Sequence, residues 1–172
     1  MTLGLTWGTR PAEETVPLPC DALCPYAGVQ ADRAISIDAP PSIVFSWLCQ
    51  LRVAPYSYDL LDNLGRRSPR ERNPGLVRLE VGQRFMTVFG LQSFVDGEQI
   101  TLRTTGVAVT YRVQPEGAGA RLHARVWFGG PRLAARVLAL GDLVMMRKQL
   151  LTLKSLAEDE AAEGVRVRRV AR

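Results

Sequence analysis

With 172 residues, 47% of them apolar, the chain fits one ordinary domain and can bury a core without metals or disulfides, which excludes both a disordered polymer and a stapled miniprotein. Its net charge of +5 comes from 22 basic and 17 acidic residues, the basic ones almost all Arg. Such a balance directs a chain to phosphate or anionic lipid only when it gathers on one face; here much of it falls in Arg66-Arg67-Ser68-Pro69-Arg70 and in the tail from Arg166 to Arg172, which read as a solvated loop and a terminus.

The first 32 residues carry Pro11, Pro17, Pro19 and Pro25 with little periodicity. Proline withholds a backbone donor and restricts its predecessor, so residues 1–32 are expected to form an irregular arm packed on the domain, anchored by Trp7, Leu18 and Tyr26. Residues 1–10 lack a basic segment followed by an apolar run, so no export signal is expected. Cys20 and Cys24 have no second Cys pair or nearby His to complete a zinc set. With Cys49 they make an odd count of three, which suits reduced thiols in a cytoplasmic protein.

Residues 33–38 alternate through Ala34, Ile35, Ser36 and Ile37 as a first strand, stopped at Ala39-Pro40-Pro41. Ile43, Val44, Trp47, Leu48 and Leu51 then recur at three-to-four spacing, a helix with one buried stripe that Pro55 ends. Residues 56–65 make a second short helix with Gly65 at its left-handed cap. From Leu76 the period changes to two, and strands are predicted over 76–81, 83–94, 98–105, 107–114 and 120–128, with Asp96-Gly97 and Glu116-Gly117 at tight turns. In the last strand Leu122, Ala124, Val126 and Phe128 share one face and His123, Arg125 and Trp127 the other, which describes a sheet buried on one side and wet on the other.

The longest helical pattern runs from Arg132 to about Ala162, with Leu133, Val137, Leu140, Val144 and Leu151 on one flank. Gly141 is expected to bend or break it and Asp142 to cap the second segment. Few charges precede Arg147, so the middle of this helix is expected to be heavily buried. Its apolar patches, interrupted at Gly141-Asp142, fall far short of the ~20 residues that span a bilayer, so no membrane insertion is expected. Residues 33–162 are left as the domain and 163–172 as a basic tail that frays.

These elements specify an α+β fold in which a curved antiparallel sheet wraps around a long C-terminal helix, with two short helices after the first strand. A bent sheet and a straight helix leave volume between them, and small residues at Ala108, Ala124, Ala134 and Ala135 enlarge it. A mainly apolar ligand cavity is expected there, open to the extent that Phe85, Phe89, Met146 and Trp47 do not fill it.

Four stretches carry a resemblance. They are the strand–Ala-Pro–helix opening from Ile35 to Leu48, the segment from Gln50 through Tyr56-Ser57-Tyr58 to Gly65, the closing-helix run from Gly141 to Lys154, and Trp7-Gly8 followed by Glu13-Glu14. Together they resemble the START/Bet v 1-like (helix-grip) superfamily and, within it, a bacterial polyketide cyclase/dehydrase-like branch. The resemblance implies a helix-grip fold that binds an apolar or aromatic small molecule between the sheet and the final helix. It supplies no catalytic set that carries over residue by residue. The chain departs from many of these relatives in having Arg52-Val53-Ala54-Pro55 where they show a longer Gly-rich approach.

The ligand-binding candidates are Trp47, Tyr56, Tyr58, Phe89, Arg103, Tyr111, Phe128 and Val144. Tyr56, Tyr58 and Tyr111 offer hydroxyls to orient a ligand, and a strand arginine turned inward would pair with a ligand carboxylate. His123, the one histidine, falls on the outer face by strand phase, and Cys49 reads as a buried inert thiol. No phosphate-binding Gly-rich loop or serine elbow occurs. No catalytic residue, cofactor or metal is assigned. The leading expectation is a hydrophobic-ligand-binding module with no DNA partner, with a homodimer allowed. The alternatives are a polyketide cyclase/aromatase or dehydratase-type enzyme that folds a keto chain for condensation, and a protein- or RNA-interaction module using the arginines at 66–72.

Overall fold

The period-two pattern downstream of residue 83 folds into consecutive antiparallel strands, because each alternating row supplies one apolar face and each interruption supplies a turn. The computed structural model describes residues 4–23, 28–57 and 67–170. Its strands are β1 (Thr6–Trp7), β2 (Val29–Ile37), β3 (Arg84–Phe85), β4 (Phe89–Val95), β5 (Gln99–Thr104), β6 (Val107–Glu116) and β7 (Gly119–Phe128). Its α-helices are α1 (Pro11–Thr15), α2 (Pro41–Cys49) and α3 (Arg132–Val170). The strands form one sheet in the order β1-β2-β7-β6-β5-β4-β3, antiparallel except where β1 runs parallel to β2.

One face of this sheet carries Ile37, Ile100, Leu102, Val109, Tyr111, Val113, Leu122, Ala124, Val126 and Phe128, all buried. Across it lies α3, burying Ala135, Ala139, Met146, Leu150, Leu153 and Ala157 at alternating steps of three and four with one longer step, a single seam of a 3.6-period helix. The paired prolines at 40 and 41 start α2 without losing a hydrogen bond, and Val44, Phe45, Trp47, Leu48 and Cys49 close one end of the core. Each such aliphatic side chain contributes about 1.5–3 kcal/mol by leaving water. The result is the helix-grip α+β fold, a curved, mostly antiparallel sheet wrapped around a long C-terminal helix.

Several expectations are corrected. The strand expected at 76–81 is instead a 3-10 turn, Pro74–Val77, followed by loop; Asn73 caps that turn by accepting from the Gly75 N–H at 2.9 Å. Its apparent alternation comes from Val77 and Leu79 anchoring the loop on the core. The strand expected at 83–94 is cut by a turn in which Met86 and Thr87 adopt positive φ, and the Met86 N–H donates to the Leu51 carbonyl at 2.8 Å. The long helix passes Gly141 without interruption and continues to Val170. The first half of α3 is not buried: among its residues up to Val144, Leu133, Val137, Leu138, Leu140 and Val144 are all exposed, and it meets the sheet through Ala135 and Ala139. Of the second short helix, Tyr56 and Ser57 form a bend, and residues 58–66 lie outside the described residues.

The outer face is also drier than its alternation suggests, because the arm is ordered and covers it. The arm supplies β1, α1 and a 3-10 turn, Pro19–Leu23, and Leu18 and Cys20 pack with Ala108 and Trp127 into a second small apolar cluster. Gly8 permits the crossing: its φ is +68° and a Cβ there would lie 2.2 Å from the Ala34 carbonyl oxygen. Beneath the arm, Asp32, His123 and Arg125 are buried. Asp32 Oδ1 receives Arg125 Nε at 2.8 Å and lies 2.8 Å from His123 Nε2, while Gln30 Nε2 donates to Oδ2 at 2.7 Å. Arg125 then donates to the Val16 and Glu13 carbonyls, and Arg121 forms a two-pronged pair with the Glu13 carboxylate.

Burial opposes the charge on Asp32, but the hydrogen bonds from His123, Gln30 and Arg125 outweigh it and hold the carboxyl below its ordinary value. Burial likewise works against Glu13, and the bonds from Arg121 and the Arg10 N–H bring it down. A carboxyl lowered in the folded state adds stability above its unfolded pKa, lost as pH falls through the folded one. The contribution of these two carboxyls is therefore expected to hold above about pH 4 and to be lost below it. Asp32→Ala is expected to cost about 3–5 kcal/mol, because it removes the buried carboxylate shared by His123 and Arg125 Nε and leaves Arg125 only its pair with the part-exposed Asp21, and to flatten that acid decline; urea midpoints across pH measure both.

Candidate functional site

The chain leaves α2 through a 3-10 turn, Gln50–Arg52, and the Ala54-Pro55 link. At Tyr56 the backbone turns sharply with φ of 57°, a conformation that costs a bulky side chain energy and needs support from its surroundings. Support comes from two sides. Gln149 Nε2 of α3 donates to the Pro55 carbonyl at 2.6 Å, and the Tyr56 ring meets Trp47 edge-on, centroids 6.0 Å apart. Trp47 is fixed in turn by its Nε1–H, which donates to Glu160 Oε2 at 2.9 Å.

Against this corner lies a cavity of about 510 Å³. Its walls are Tyr56 and Ser57 on one side, residues 67–70 on another, and Lys148, Leu151, Thr152, Ser155 and Leu156 of α3. Tyr56, Pro69, Leu151 and Leu156 supply apolar surface, and Ser57, Ser68, Thr152 and Ser155 supply hydroxyls. Arg67, Arg70 and Lys148 place three exposed cations around it. Arg72, just beyond, is spent within the fold, pairing with Glu160 at 2.7 Å. The described lining contains no carboxylate, imidazole or thiol.

The groove between sheet and helix has a different character. Tyr111 donates its hydroxyl to Gln149 Oε1 at 2.7 Å and is fully buried, and burial raises its pKa far above the ordinary phenol value. Phe85, Trp47 and Met146 are buried here as well. Further along, Arg33 projects from β2 onto the concave face with no exposed surface. Its Nη2 donates to the Ala139 carbonyl of α3 at 3.2 Å and to the Gly4 carbonyl at 3.1 Å, and lies 3.6 Å from Asp142 Oδ2. Burial lowers Arg33 from its ordinary value, with Asp142 and Asp32 opposing. Burial pushes the Asp142 carboxyl up to about 6, with Arg33 partly offsetting it.

The sequence candidates separate in space. Tyr56 lines the cavity and Trp47 backs it. Tyr58 lies outside the described residues. Phe89 is half-buried against the core and Phe128 is buried at the end of β7. Tyr111 is already bonded to α3. Arg103 is exposed on the outer face, since Leu102 beside it takes the inward position opposite Val109, and Val144 is exposed on the side of α3 away from the sheet. The inward strand arginine is Arg33, whose signal was its phase with Ile35 and Ile37. The cavity's α3 residues had no comparable mark. His123 is structural, as its outward phase implied, although the arm buries it. Burial pushes the Cys49 thiol up to about 12 and that of Cys20 to about 11, so neither is a ready nucleophile. Among the described residues no group of three or more His, Cys, Asp or Glu is placed to hold a metal ion, and no helix is long and apolar enough to cross a membrane.

No protein-family model matches the chain, and no curated protein matches it. Solved structures do. The KanY protein aligns at 15% identity over 77% of this chain and 99% of its own, with a TM-score of 0.53. A structural-genomics protein from Nitrosospira multiformis aligns at 13% identity over 77% and 99%, with a TM-score of 0.52. An AHSA1-like protein from Rhizobium etli aligns at 16% identity over 78% and 85%, with a TM-score of 0.50. At these identities the likeness is one of fold, a distant match to helix-grip proteins.

A carboxyl whose folded pKa is raised binds its proton more tightly in the folded state, so stability falls as pH rises between the two pKa values. For Asp142 that window runs from about 4, unfolded, to about 6, folded. Asp142→Asn is expected to abolish this decline, so that the variant gains on the wild type between the two ends of the window. Paired urea titrations at those ends measure it.

Proposed function

We propose that this protein binds a small amphiphilic anion with an apolar or aromatic body, seated beside Tyr56 between α3 and residues 67–70. The carrying observation is the cavity of about 510 Å³ whose apolar floor is ringed by Arg67, Arg70 and Lys148. That volume falls among those typical of small-molecule sites, about 300–1,000 Å³. Cations beside apolar surface select a ligand with one charged end, and the Ser155 hydroxyl among the lining residues can donate to a carboxylate or sulfonate. The arm serves the fold and not the cavity, since none of its described residues lines it.

A binding role is favoured over the polyketide cyclase/dehydrase-like enzyme. Such chemistry asks for an acid or base near neutral pKa facing the substrate, and the described lining offers only Tyr, Ser, Thr, Arg and Lys. The interaction-module reading loses support because Arg72 is occupied by Glu160 and Arg67 and Arg70 face the cavity. The free, buried thiols of Cys20 and Cys49 suit a reducing, cytoplasmic setting.

The purified protein is expected to show, in native mass spectrometry, a discrete added mass that disappears on denaturation. Stripped protein is expected to bind 8-anilinonaphthalene-1-sulfonate saturably. The double variant Arg70→Glu/Lys148→Glu is expected to weaken that binding about tenfold or more, equivalent to ~1.4 kcal/mol or above, with an unchanged melting temperature. A clean mass together with non-saturable dye binding would sink the proposal.

A further inference from the structure

The helix α3 carries two apolar faces and the sheet uses one. At about 100° per residue, Ala135, Ala139, Met146 and Leu153 point to the sheet, and Leu133, Val137, Leu140, Val144 and Leu151 point the opposite way. The five outward aliphatics are 78%, 62%, 49%, 55% and 41% exposed in that order. They span about 27 Å at 1.5 Å per residue. A row of this length on an otherwise folded protein marks an interaction surface. It stands clear on the side of Ala134, Leu138 and Gly141, which are exposed too, while on the other side the arm touches it at Leu140, against Gly4.

Charge selects the occupant. Arg136 and Arg147 flank the ridge on one side and Lys148 on the other, all exposed. The one acidic residue between positions 132 and 148, Asp142, is turned toward Arg33. Arg147 stacks over the Trp7 ring at 5.6 Å from its centroid yet remains exposed. A second copy is a poor partner: antiparallel pairing that sets Leu133 against Leu151 also sets Arg136 against Lys148, and parallel pairing sets every cation beside its own copy. A convex apolar ridge with cations on both flanks instead matches an anionic bilayer surface. Aliphatic side chains can sink below the headgroups while Arg and Lys snorkel to the phosphates.

We propose that the outward face of α3, centred on Val137, Leu140 and Val144, docks this protein on anionic lipid surfaces without crossing them. The proposal does not depend on the cavity's ligand, and Val137 and Val144 are not among the cavity's lining residues.

The test is co-sedimentation of the full chain with vesicles of phosphatidylcholine containing roughly one-third phosphatidylserine, against pure phosphatidylcholine vesicles. Binding is expected to the first and not the second, and to fall with added salt. Val137→Asp/Val144→Asp and, separately, Arg136→Glu are expected to reduce it about tenfold or more. Since these positions are exposed, the circular dichroism spectrum, melting temperature and dye binding at the cavity are expected to stay as in the wild type. Absence of the folded wild type from the anionic pellet overturns the proposal. So does pelleting that survives Val137→Asp/Val144→Asp. A dimer seen by analytical ultracentrifugation and dissolved by that same double variant overturns it in favour of a second copy.

Discussion

A carboxylate in the middle of a sheet is tolerable only where donors surround it, and the donors gathered around Asp32 organise the convex side of this protein. Arg125 reaches Asp32 through Nε and has both terminal nitrogens left for the arm, where they find the Val16 and Glu13 carbonyls. The arm thereby comes to lie over β7, bringing Leu18 and Cys20 onto Ala108 and Trp127 and Glu13 onto Arg121. The neighbouring residue repeats the arrangement on the other face, because consecutive strand residues point in opposite directions. Arg33 binds the Gly4 and Leu5 carbonyls at the start of the arm and the Ala139 carbonyl of the helix. Two adjacent buried charges on β2 thus attach the outer layer and the inner layer to the same strand.

That placement governs α3. Where Arg33 rises from the sheet, the facing helix residues are Ala135, Ala139 and Asp142, and contact there is narrow and partly polar. Only from Met146 onward do larger apolar side chains take over the seam, with Leu150 and Leu153 buried. The helix is consequently held firmly by its second half, where Gln149 also joins Tyr111 to the Pro55 carbonyl. The same bond positions the strained backbone at Tyr56, so the cavity wall and the buried polar contact across the groove share one side chain.

The sheet was legible because its alternation is nearly unbroken from Gln99 to Phe128 and because Asp96-Gly97 marks a turn where Gly97 takes a φ of +75°. The α2 stripe was legible for the same kind of reason, its apolar residues recurring at helical spacing. The orientation of α3 was not. Both of its stripes repeat with the helical period, and side-chain size favoured the row of Leu and Val that faces outward over the Ala-containing row that faces the sheet. Close approach of backbone to sheet is what small residues permit, and no local pattern reveals which stripe will use it. The convex face misled in a similar way. His123 and Arg125 read as solvent-facing, and their cover comes from an arm as far as 112 positions earlier in the chain.

The cavity and the outward ridge meet on α3. Lys148 and Leu151 line the cavity, and each also belongs to the ridge or its basic flank. A bilayer lying against Val137, Leu140 and Val144 would therefore stand at the rim of the cavity, with Lys148 at the boundary. A ligand with an apolar body and an anionic end is also the kind of molecule that partitions into such a surface. Its transfer between bilayer and cavity would need no passage of the apolar body through bulk water, the step whose cost rises by about 25 cal/mol for each Å² of apolar surface exposed. The wide exposure of the front half of α3, which a closed helix-grip core would not require, is then accounted for by the same geometry that leaves the cavity on the helix's outer flank.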